Sequence, residues 1–587
     1  MAVLLRFLRY FPKYTLHLII LLFGVIISGV FKLRIPMIIN SIIDEVIGSG
    51  DFNQLIFMCS TVIFVTGISI CGDFIYRYGS QYIGSNIVFN VREDLFLSIQ
   101  RKSFSFYDRT KTGQILSRAT GDIEAVRRFI AFGLGEMASG IFLTSLIVIR
   151  LSELNHQLRS LVILTVIPLF IVAFIFSRKQ QPLWVNIREK FASITENIRE
   201  NLVGLQLVRS YNREDYEIQK FNNINQDFSE ANLDMAQTRA AFIPLMPLIV
   251  SIGTATVFLY GGRLVMSGEL LINELVEAYV LLILLVLPVR LMGFNLSMAL
   301  NASAGLARVF ELMDVEEEVS NNKNPVELND PDGDIEFDNV SFGYDDGSSI
   351  LKNIDLKITP GETIGIIGAT GSGKTTLIGL IPRFYDVNKG SIKIDNVNVK
   401  DITLNSLRSM IGVVNQDAFL FSSTIRKNIS LGSRNVPLDD IVRVAKLAHI
   451  HDFISSLKDG YDTVVGERGV TLSGGQKQRL SIARALLIDP AILIFDDSTS
   501  NVDVDTEEKI QDSLKSVIEN KTTIIITQRI SAIRLVDRII VLDEGELVES
   551  GSHDELLALN GIYSRIYNSQ LHLNESNLLH NDLRGAE

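Results

Sequence analysis

Apolar residues in the first half of the chain gather into long runs separated by polar stretches. A membrane-spanning helix needs roughly 20 mostly apolar residues to cross the hydrocarbon core of a bilayer. Six stretches approach that length, at about 16–39, 54–80, 130–150, 161–178, 241–262 and 275–300. Long segments with helical apolar spacing follow the second and fourth stretches. The pattern predicts an all-α domain of six transmembrane helices with long extensions on one side of the membrane.

The distribution of basic residues predicts which side that is. The connection after the second stretch is rich in basic residues, including Arg92, Arg101 and Lys102, whereas residues 40–53 after the first stretch contain no Lys or Arg. Basic residues near the ends of spans stay in the cytoplasm. We therefore expect a multi-pass protein of the plasma membrane, embedded in the lipid bilayer, with both termini in the cytoplasm.

A change in composition divides the chain into domains. Polar residues and the chain breakers Pro and Gly replace the apolar runs over residues 316–334. Beyond them, short apolar strand-like segments alternate with helical ones until a polar tail begins. We predict a transmembrane domain over residues 1–315, a linker over 316–334, a cytoplasmic α/β domain over 335–572 and a polar tail over 573–587.

Composition narrows the possible functions further. The net charge is −12 and no basic face stands out, which argues against a nucleic-acid partner. The two cysteines, Cys59 and Cys71, lie in one apolar stretch, so they form neither a disulfide framework nor a metal-ligand cluster, and packing is their expected role.

Charged residues occur within or beside the predicted spans, and such groups are costly against lipid. We expect them to face the interior of the helix bundle, where they either line a substrate path or form ion pairs between helices. They are Lys32, Arg34, Asp73, Glu136 and Arg290.

The second half contains a phosphate-binding motif. A short apolar strand candidate, Ile364–Ile367, leads into the pattern G-x-x-x-x-G-K-[ST], which Thr376 and a helix-like segment follow. Glycines let backbone N–H groups surround phosphates, Lys374 reaches the β- and γ-phosphates, and the Thr375 hydroxyl binds Mg²⁺. The predicted loop comprises Gly368, Ala369, Thr370, Gly371, Ser372, Gly373, Lys374, Thr375 and Thr376.

A second acidic motif follows further along the chain. Asp496 ends the apolar strand candidate Ile492–Phe495, a position from which a carboxylate can hold Mg²⁺ through water. Ahead of it, a helix candidate opens with Leu472, Ser473, Gly474, Gly475 and Gln476. The order and composition of these motifs resemble the ATP-binding cassette (ABC) family, whose signature matches residues 472–476.

The resemblance covers almost the whole chain and implies an exporter half-transporter. A six-helix membrane domain fused to a P-loop cassette is similar to ABC exporters, whereas importers of the superfamily usually keep the two domains on separate chains. The segments 106–118 and 201–211 look like the cytoplasmic extensions whose coupling helices sit in the cassettes. The resemblance implies ATP and Mg²⁺ as cofactors, a dimer with a second half-transporter, and a drug, lipid or peptide as substrate.

The same resemblance assigns roles to further residues. Tyr344 matches the aromatic residue that stacks on adenine, which suits the π face of a tyrosine ring. Gln416 matches the loop glutamine that touches Mg²⁺ and senses the membrane domain, so Thr375, Gln416 and Asp496 form the expected metal set. Asp503 matches the loop that crosses between paired cassettes.

Two positions depart from the family pattern. Asp497 stands where the family has the glutamate that acts as general base, and Gln528 stands at the position of the switch histidine. General-base catalysis contributes about 10²–10⁴-fold, and a carboxylate one methylene shorter loses part of that. The chain therefore resembles the degenerate-site subunit of a heterodimeric multidrug-type exporter. A homodimer with two slow sites, or an ATP-gated channel or regulator, remains an alternative.

Overall fold

The computed structural model describes residues 2–46, 50–154, 156–344, 349–433, 435–497, 515, 518, 520–527 and 536–569. The chain forms two compact units. The first takes Met1–Arg101 and Lys111–Val315, and the second takes Lys102–Thr110 and Glu316–Glu587. Asp503, Gln528 and the tail over 573–587 lie outside the described residues.

Within the described residues, six helical stretches are long and apolar enough to cross a membrane: Pro12–Val46, Phe52–Arg101, Thr112–Leu154, Arg159–Val203, Glu214–Met266 and Ile272–Asp314. The α-helices from the start of the chain to the end of the first unit are α1 (Ala2–Leu8), α2 (Thr15–Ser41), α3 (Phe52–Arg101), α4 (Phe104–Arg109, in the second unit), α5 (Thr112–Ser117), α6 (Ile123–Arg128), α7 (Gly135–Leu154), α8 (His156–Val203), α9 (Leu205–Ser210), α10 (Glu214–Phe242), α11 (Leu245–Met266) and α12 (Ile272–Asp314). Short π-helical turns at Ile42–Val46, Arg118–Asp122 and Phe129–Leu134 continue the spans, and a 3₁₀ turn lies at Pro12–Tyr14.

Helices α2 and α3 approach each other closely where both carry glycine. A Cβ atom placed on Gly72 would lie 2.6 Å from the backbone nitrogen of Ser28, which is closer than real Cβ contacts allow. Small residues at such a crossing let two helix backbones come together in a membrane. One turn away, Lys32 Nζ lies 2.8 Å from Asp73 Oδ1, so the close approach also brings two opposite charges together.

The charged residues of the spans are mostly paired. Asp73 accepts hydrogen bonds from Lys32 and Ser28, and Arg77 pairs with Glu136 at 2.8 Å. Pairing neutralises charge that would be costly in the membrane interior. Arg34 and Arg290 are instead exposed on the surface of this single chain, and their expected place in the bundle interior stays a prediction; Cys59 and Cys71 are also exposed, so they do not pack inside this chain.

The second unit contains two β-sheets. Its strands are β1 (Ile335–Phe342), β2 (Leu351–Ile358), β3 (Thr363–Ile367), β4 (Lys389–Ile394), β5 (Val397–Asn398), β6 (Ile411–Val414), β7 (Ile492–Asp496), β8 (Thr522–Ile526), β9 (Arg538–Asp543) and β10 (Glu546–Gly551). One sheet has the antiparallel order β2-β1-β4-β5. The other has the order β10-β9-β3-β8-β7-β6, parallel throughout except for β10.

Helices complete the second unit on either side of these sheets. They are α13 (Lys374–Leu380), α14 (Leu404–Ser409), α15 (Ile425–Ile429), α16 (Leu438–Leu447), α17 (His451–Ser456), α18 (Gly474–Leu487) and α19 (His553–Ala558), with 3₁₀ turns at Ser430–Gly432, Gly460–Asp462 and Glu467–Gly469. One buried core joins both sheets to α13, and a second packs α15, α16 and α18 against β7. Burial of both faces explains why the parallel strands are continuous apolar runs.

Candidate functional site

The phosphate-binding motif lies where a buried strand turns into a helix. Strand β3 is buried along its whole length and ends at Ile367, and α13 begins at Lys374. The turn between them closes at Gly373, whose φ of +102° is left-handed backbone that suits glycine. Strand, turn and helix therefore follow in the order that the sequence predicts, with the backbone N–H groups at the helix start available for an anion.

Lys374 is held by its own loop. Its side chain is 9% exposed, and Nζ donates hydrogen bonds to the carbonyl oxygens of Gly368 at 2.9 Å and Ala369 at 2.8 Å. Burial lowers the pKa of Lys374, and the nearby carboxylates of Asp496 and Asp497 oppose that shift. The ammonium group thus has neutral partners here that an anionic ligand could replace.

Asp496 and Thr375 meet at the same edge of the sheet. Asp496 ends β7, Thr375 lies in the first turn of α13, and the Thr375 hydroxyl donates to Asp496 Oδ2 at 3.2 Å. Burial raises the pKa of Asp496, while the hydrogen bond from Thr375 lowers it. Burial of a charged carboxylate is costly and a nearby positive charge offsets that cost, so this position is suited to a cation.

A cavity of about 370 Å³ opens beside these groups. Its lining includes nine of the predicted site residues: Thr370, Gly371, Gly373, Lys374, Thr375, Thr376, Gln416, Asp496 and Asp497. Sequence reasoning missed two apolar members of the lining, Ile350 and Ile526. Ile526 could have been found as the last apolar residue of β8, because the carboxyl ends of parallel strands share one edge of the sheet.

The remaining loop residues play a different part. Gly368 and Ala369 contribute carbonyl oxygens to Lys374, while Ser372 is 4% exposed and its hydroxyl makes no hydrogen bond within the described residues. These residues shape the loop from within and do not line the cavity.

Asp497 follows Asp496 on a left-handed turn. Its φ is +42°, and its backbone nitrogen donates to the carbonyl oxygen of Ile526 at 2.9 Å. Aspartate tolerates this backbone region better than most non-glycine residues. This hydrogen bond holds the Asp497 backbone against β8, and the short side chain limits how far the carboxylate extends from it.

Tyr344 lies next to this cavity but not in its lining. It contributes to a neighbouring cavity of about 480 Å³, which Phe342, Tyr385 and Asp108 also line. The Tyr344 hydroxyl lies 3.2 Å from the Thr376 hydroxyl, which does line the first cavity. Because Thr376 lies in the first turn of α13, directly after the phosphate loop, this contact places Tyr344 close to that loop.

The segment Leu472–Gln476 does not line either cavity. Ser473 caps α18: its hydroxyl accepts a hydrogen bond from the Gln476 nitrogen at 3.3 Å, and the Gln476 side chain accepts one from the Ser473 nitrogen at 2.9 Å. The cap presents the start of a 14-residue helix, an end that favours anions.

Comparison with known proteins identifies the architecture. Residues 18–289 match the ABC transporter transmembrane region, and residues 351–500 match the ABC transporter domain. The chain is also 38% identical over 539 residues to the uncharacterized ABC transporter ATP-binding protein YknU of Bacillus subtilis, covering 91% of this chain and 92% of that protein. The chain belongs to the ABC transporter family.

Two further relatives place the transporter among exporters. It is 34% identical over 561 residues to an ATP-dependent lipid A-core flippase of Syntrophus aciditrophicus, covering 95% of this chain and 92% of that one. It superimposes on a bacterial Atm1-family ABC exporter solved with ATP bound, with a TM-score of 0.82, 28% identity and coverage of 94% and 98% of the two chains.

The comparisons confirm the predicted fold class, which is a six-helix ABC-exporter membrane domain followed by an α/β P-loop cassette. The transporter is a multi-pass plasma-membrane protein with a cytoplasmic cassette, and its cassette is an ATP-binding domain. It is an exporter driven by ATP, and exporters of this family act as dimers.

Proposed function

We propose that this transporter is the degenerate-site subunit of a heterodimeric exporter, whose own nucleotide site binds ATP and hydrolyses it poorly. The observation that carries the proposal is the carboxylate pair at the end of β7: Asp496 is retained for binding, and an aspartate, Asp497, follows it where the family has glutamate. Gln528 at the histidine position, outside the described residues, supports the same reading. We propose the domain boundaries 1–315, 316–334 and 335–572 for this subunit.

The binding half of the site is complete in the residues around the phosphate loop. Backbone N–H groups from Gly368 to Thr375 surround the phosphates of ATP, and Lys374 transfers its hydrogen bonds from the loop carbonyls to them. Tyr344 stacks on the adenine from the neighbouring cavity. A site with these parts binds nucleotide whether or not hydrolysis follows.

The residues present also fit Mg²⁺. Among the described residues no group of three or more His, Cys, Asp or Glu side chains gathers as a metal cage, which suits an ion that takes one carboxylate and several other oxygens. Thr375, Gln416 and Asp496 would hold it, since all three line the cavity and the buried Asp496 carboxylate needs a cation. Bound there, Mg²⁺ neutralises charge on the β- and γ-phosphates.

The residues at the catalytic positions are the ones that depart from the family pattern, and their catalytic ability is reduced. The backbone of Asp497 is hydrogen-bonded to Ile526, and its side chain is one methylene shorter than that of glutamate. The Asp497 carboxylate therefore lies about 1.5 Å short of the position that a glutamate carboxylate would reach. A general base must lie within hydrogen-bond reach of the water it activates. Gln528 donates a hydrogen bond but cannot carry the charge of a histidine. We expect hydrolysis at this site to be slower by about 10²-fold or more.

The intact signature segment assigns the subunit a second task. We propose that Leu472–Gln476 completes the competent site, whose phosphate loop and catalytic residues come from the partner subunit. The capped start of α18 offers backbone N–H groups and a positive helix end to the partner's nucleotide. Asp503, in the loop that crosses between cassettes, is proposed to act at the same junction.

The exported substrate is proposed to be a drug, lipid or peptide, consistent with a relative named as a lipid A-core flippase. ATP binding closes the paired cassettes and turns the membrane domain outward, and hydrolysis resets it. ATP that stays at the degenerate site biases this equilibrium rather than driving each cycle.

The test is Mg·ATP turnover of the purified chain in lipid, beside the double variant Asp497→Glu with Gln528→His. We expect a nearly inert wild type and a double variant that is faster by about 10²-fold, with Lys374→Ala as the variant that cannot bind. Brisk turnover by the wild type alone would instead identify a self-sufficient homodimer. ATP-dependent accumulation of cargo in inside-out vesicles excludes an ATP-gated channel, which cannot concentrate cargo.

A further inference from the structure

A short segment from between the first long helices belongs to the cassette unit. Lys102–Thr110, here called the docked segment, contains α4 and packs with residues that precede β1 and residues that follow α13 along the chain. The ring of Phe104 lies 4.5 Å from that of Phe384, and Arg109 pairs with Glu318 at 3.1 Å. The segment is covalently continuous with α3 before it and α5 after it.

Tyr385 lies between this segment and the residue proposed to stack on adenine. Its hydroxyl donates a hydrogen bond to Asp108 Oδ2 at 2.8 Å, and its ring meets the Tyr344 ring edge-on, with centroids 5.1 Å apart. Burial, with the hydrogen bond to Asp108, raises the pKa of Tyr385, so the phenol remains a neutral donor. One side chain thus contacts both groups.

Tyr385 lies in a loop that follows the helix at the phosphate-binding motif. It follows α13, whose first residue is Lys374, in a loop held by Arg383. Arg383 is 3% exposed and donates to Asp386 at 2.7 and 3.1 Å. Helix α13 connects this loop to the phosphate loop directly.

We propose that Tyr385 is a positioning residue that couples base binding to the docked segment. Its ring holds Tyr344 in place for the adenine, and its hydroxyl ties that arrangement to Asp108. This inference rests on the proposed role of Tyr344. Binding of the base and docking of Lys102–Thr110 then stabilise each other to the same extent, because thermodynamic coupling is reciprocal.

The hydroxyl of Tyr385 contacts Asp108 and its ring contacts Tyr344, so removing the two groups separately should have different effects. Tyr385→Phe keeps the ring and removes only the hydroxyl, so ATP affinity stays within about twofold while the coupling is lost. Tyr385→Leu also removes the edge-on ring contact, which is expected to weaken ATP binding by about twofold to tenfold. If Tyr385 only filled space, Tyr385→Leu would still weaken ATP binding, but Tyr385→Phe would keep the coupling.

Hydrogen–deuterium exchange of the docked segment tests the coupling in the full chain in lipid, at saturating ATP or saturating ribose 5-triphosphate, which lacks the base. In the wild type we expect ATP to slow amide exchange of residues 102–110 about threefold or more beyond the base-free triphosphate. Tyr385→Phe and Asp108→Ala should each remove that difference, and combining them should add nothing.

A matched control comes from another tyrosine of the cassette. Tyr461 is also part-buried and its hydroxyl lies 2.9 Å from His451 Nδ1, so Tyr461→Phe removes a comparable hydrogen bond and should keep the ATP-specific slowing. Persistence of the slowing in Tyr385→Phe or Asp108→Ala would overturn the coupling alone. Equal slowing by the two ligands in the wild type would also overturn the coupling, whereas equal affinity for the two ligands would overturn the role of Tyr344 on which it rests.

Discussion

The guanidinium of Arg150 lies 2.7 Å from a carboxylate oxygen of Glu277, and the Glu277 side chain is completely buried. The two residues join α7 to α12, and Glu277 also accepts a hydrogen bond from Asn40 on α2. Asn273 donates to Asn40 at 2.8 Å. Ends of three spans are therefore connected through one buried charge, which is tolerable only while it is paired.

Removing Arg150 should destabilise the membrane unit strongly. Arg150→Met leaves the Glu277 carboxylate buried without its cation, and we expect a loss of about 3–5 kcal/mol. The double change Arg150→Met with Glu277→Leu should recover most of it, because no charge is then left buried. Thermal unfolding of the full chain in lipid nanodiscs measures both.

The exposed pair of Arg199 with Glu196 supplies the control for this experiment. Both side chains are more than half exposed, so Arg199→Met should leave the unfolding temperature unchanged. An equal loss in Arg150→Met and in the double variant would show that the side-chain packing of Arg150, rather than the unpaired charge, is what matters.

The close approach of α2 and α3 predicts opposite outcomes for two glycines of one helix. Gly72→Ala places a methyl group against the backbone of Ser28 and should cost about 1–3 kcal/mol. Gly67→Ala meets nothing within 4 Å and should be neutral or stabilise the helix by up to about 1 kcal/mol. Unfolding of the two variants under identical conditions tests this prediction. An unchanged stability in Gly72→Ala would mean that the backbones separate without penalty.

An ion pair between neighbouring strands of the cassette predicts a pH dependence. Arg538 donates to Glu362 at 2.7 Å, linking β9 to the turn before β3. Burial raises the pKa of Glu362, but the hydrogen bonds from Arg538 and Thr359 outweigh it and the pKa is lowered overall. The folded pKa lies below the unfolded one, so the stability gained is present above about pH 4.3 and is lost as pH falls through the lowered value.

Calorimetry of the full chain between pH 3 and 7 measures this contribution. Glu362→Gln should lower the unfolding temperature of the cassette near neutral pH, and the difference from the wild type should shrink as the pH falls below about 4. Glu546→Gln, at an exposed position of β10, should give no such trend. A deficit in Glu362→Gln that stays constant with pH would refute the charge-based account.

The local motifs could be predicted from the sequence, because their residues are neighbours along the chain. The span from Gly368 to Thr375 is a turn between a strand and the helix that follows it, so spacing alone places Lys374 at the start of that helix. Asp496 could be added because parallel strands end at one edge of a sheet. The resemblance to a known family then supplied Gln416, which indeed lines the same cavity.

Pairings between distant residues could not be anticipated. The sequence shows charges at Lys32 and Asp73, but their contact at 2.8 Å depends on how α2 crosses α3. The same holds for Arg34, whose exposure on this chain does not follow from its place in an apolar stretch. Tyr344 was placed by resemblance beside the nucleotide, yet its contact with Tyr385 became visible only in the folded chain.

The fate of the nucleotide bound to this chain tests the central claim most directly. Wild-type protein in lipid is incubated with Mg²⁺ and radiolabelled ATP, separated from free nucleotide, and the bound label is identified, with Lys374→Ala as the blank. We predict that the bound label is recovered almost entirely as ATP with little phosphate released, and as ADP once Asp497→Glu and Gln528→His are combined. Recovery of ADP from the wild type, with steady release of phosphate, would contradict the proposal that this site binds ATP and hydrolyses it poorly.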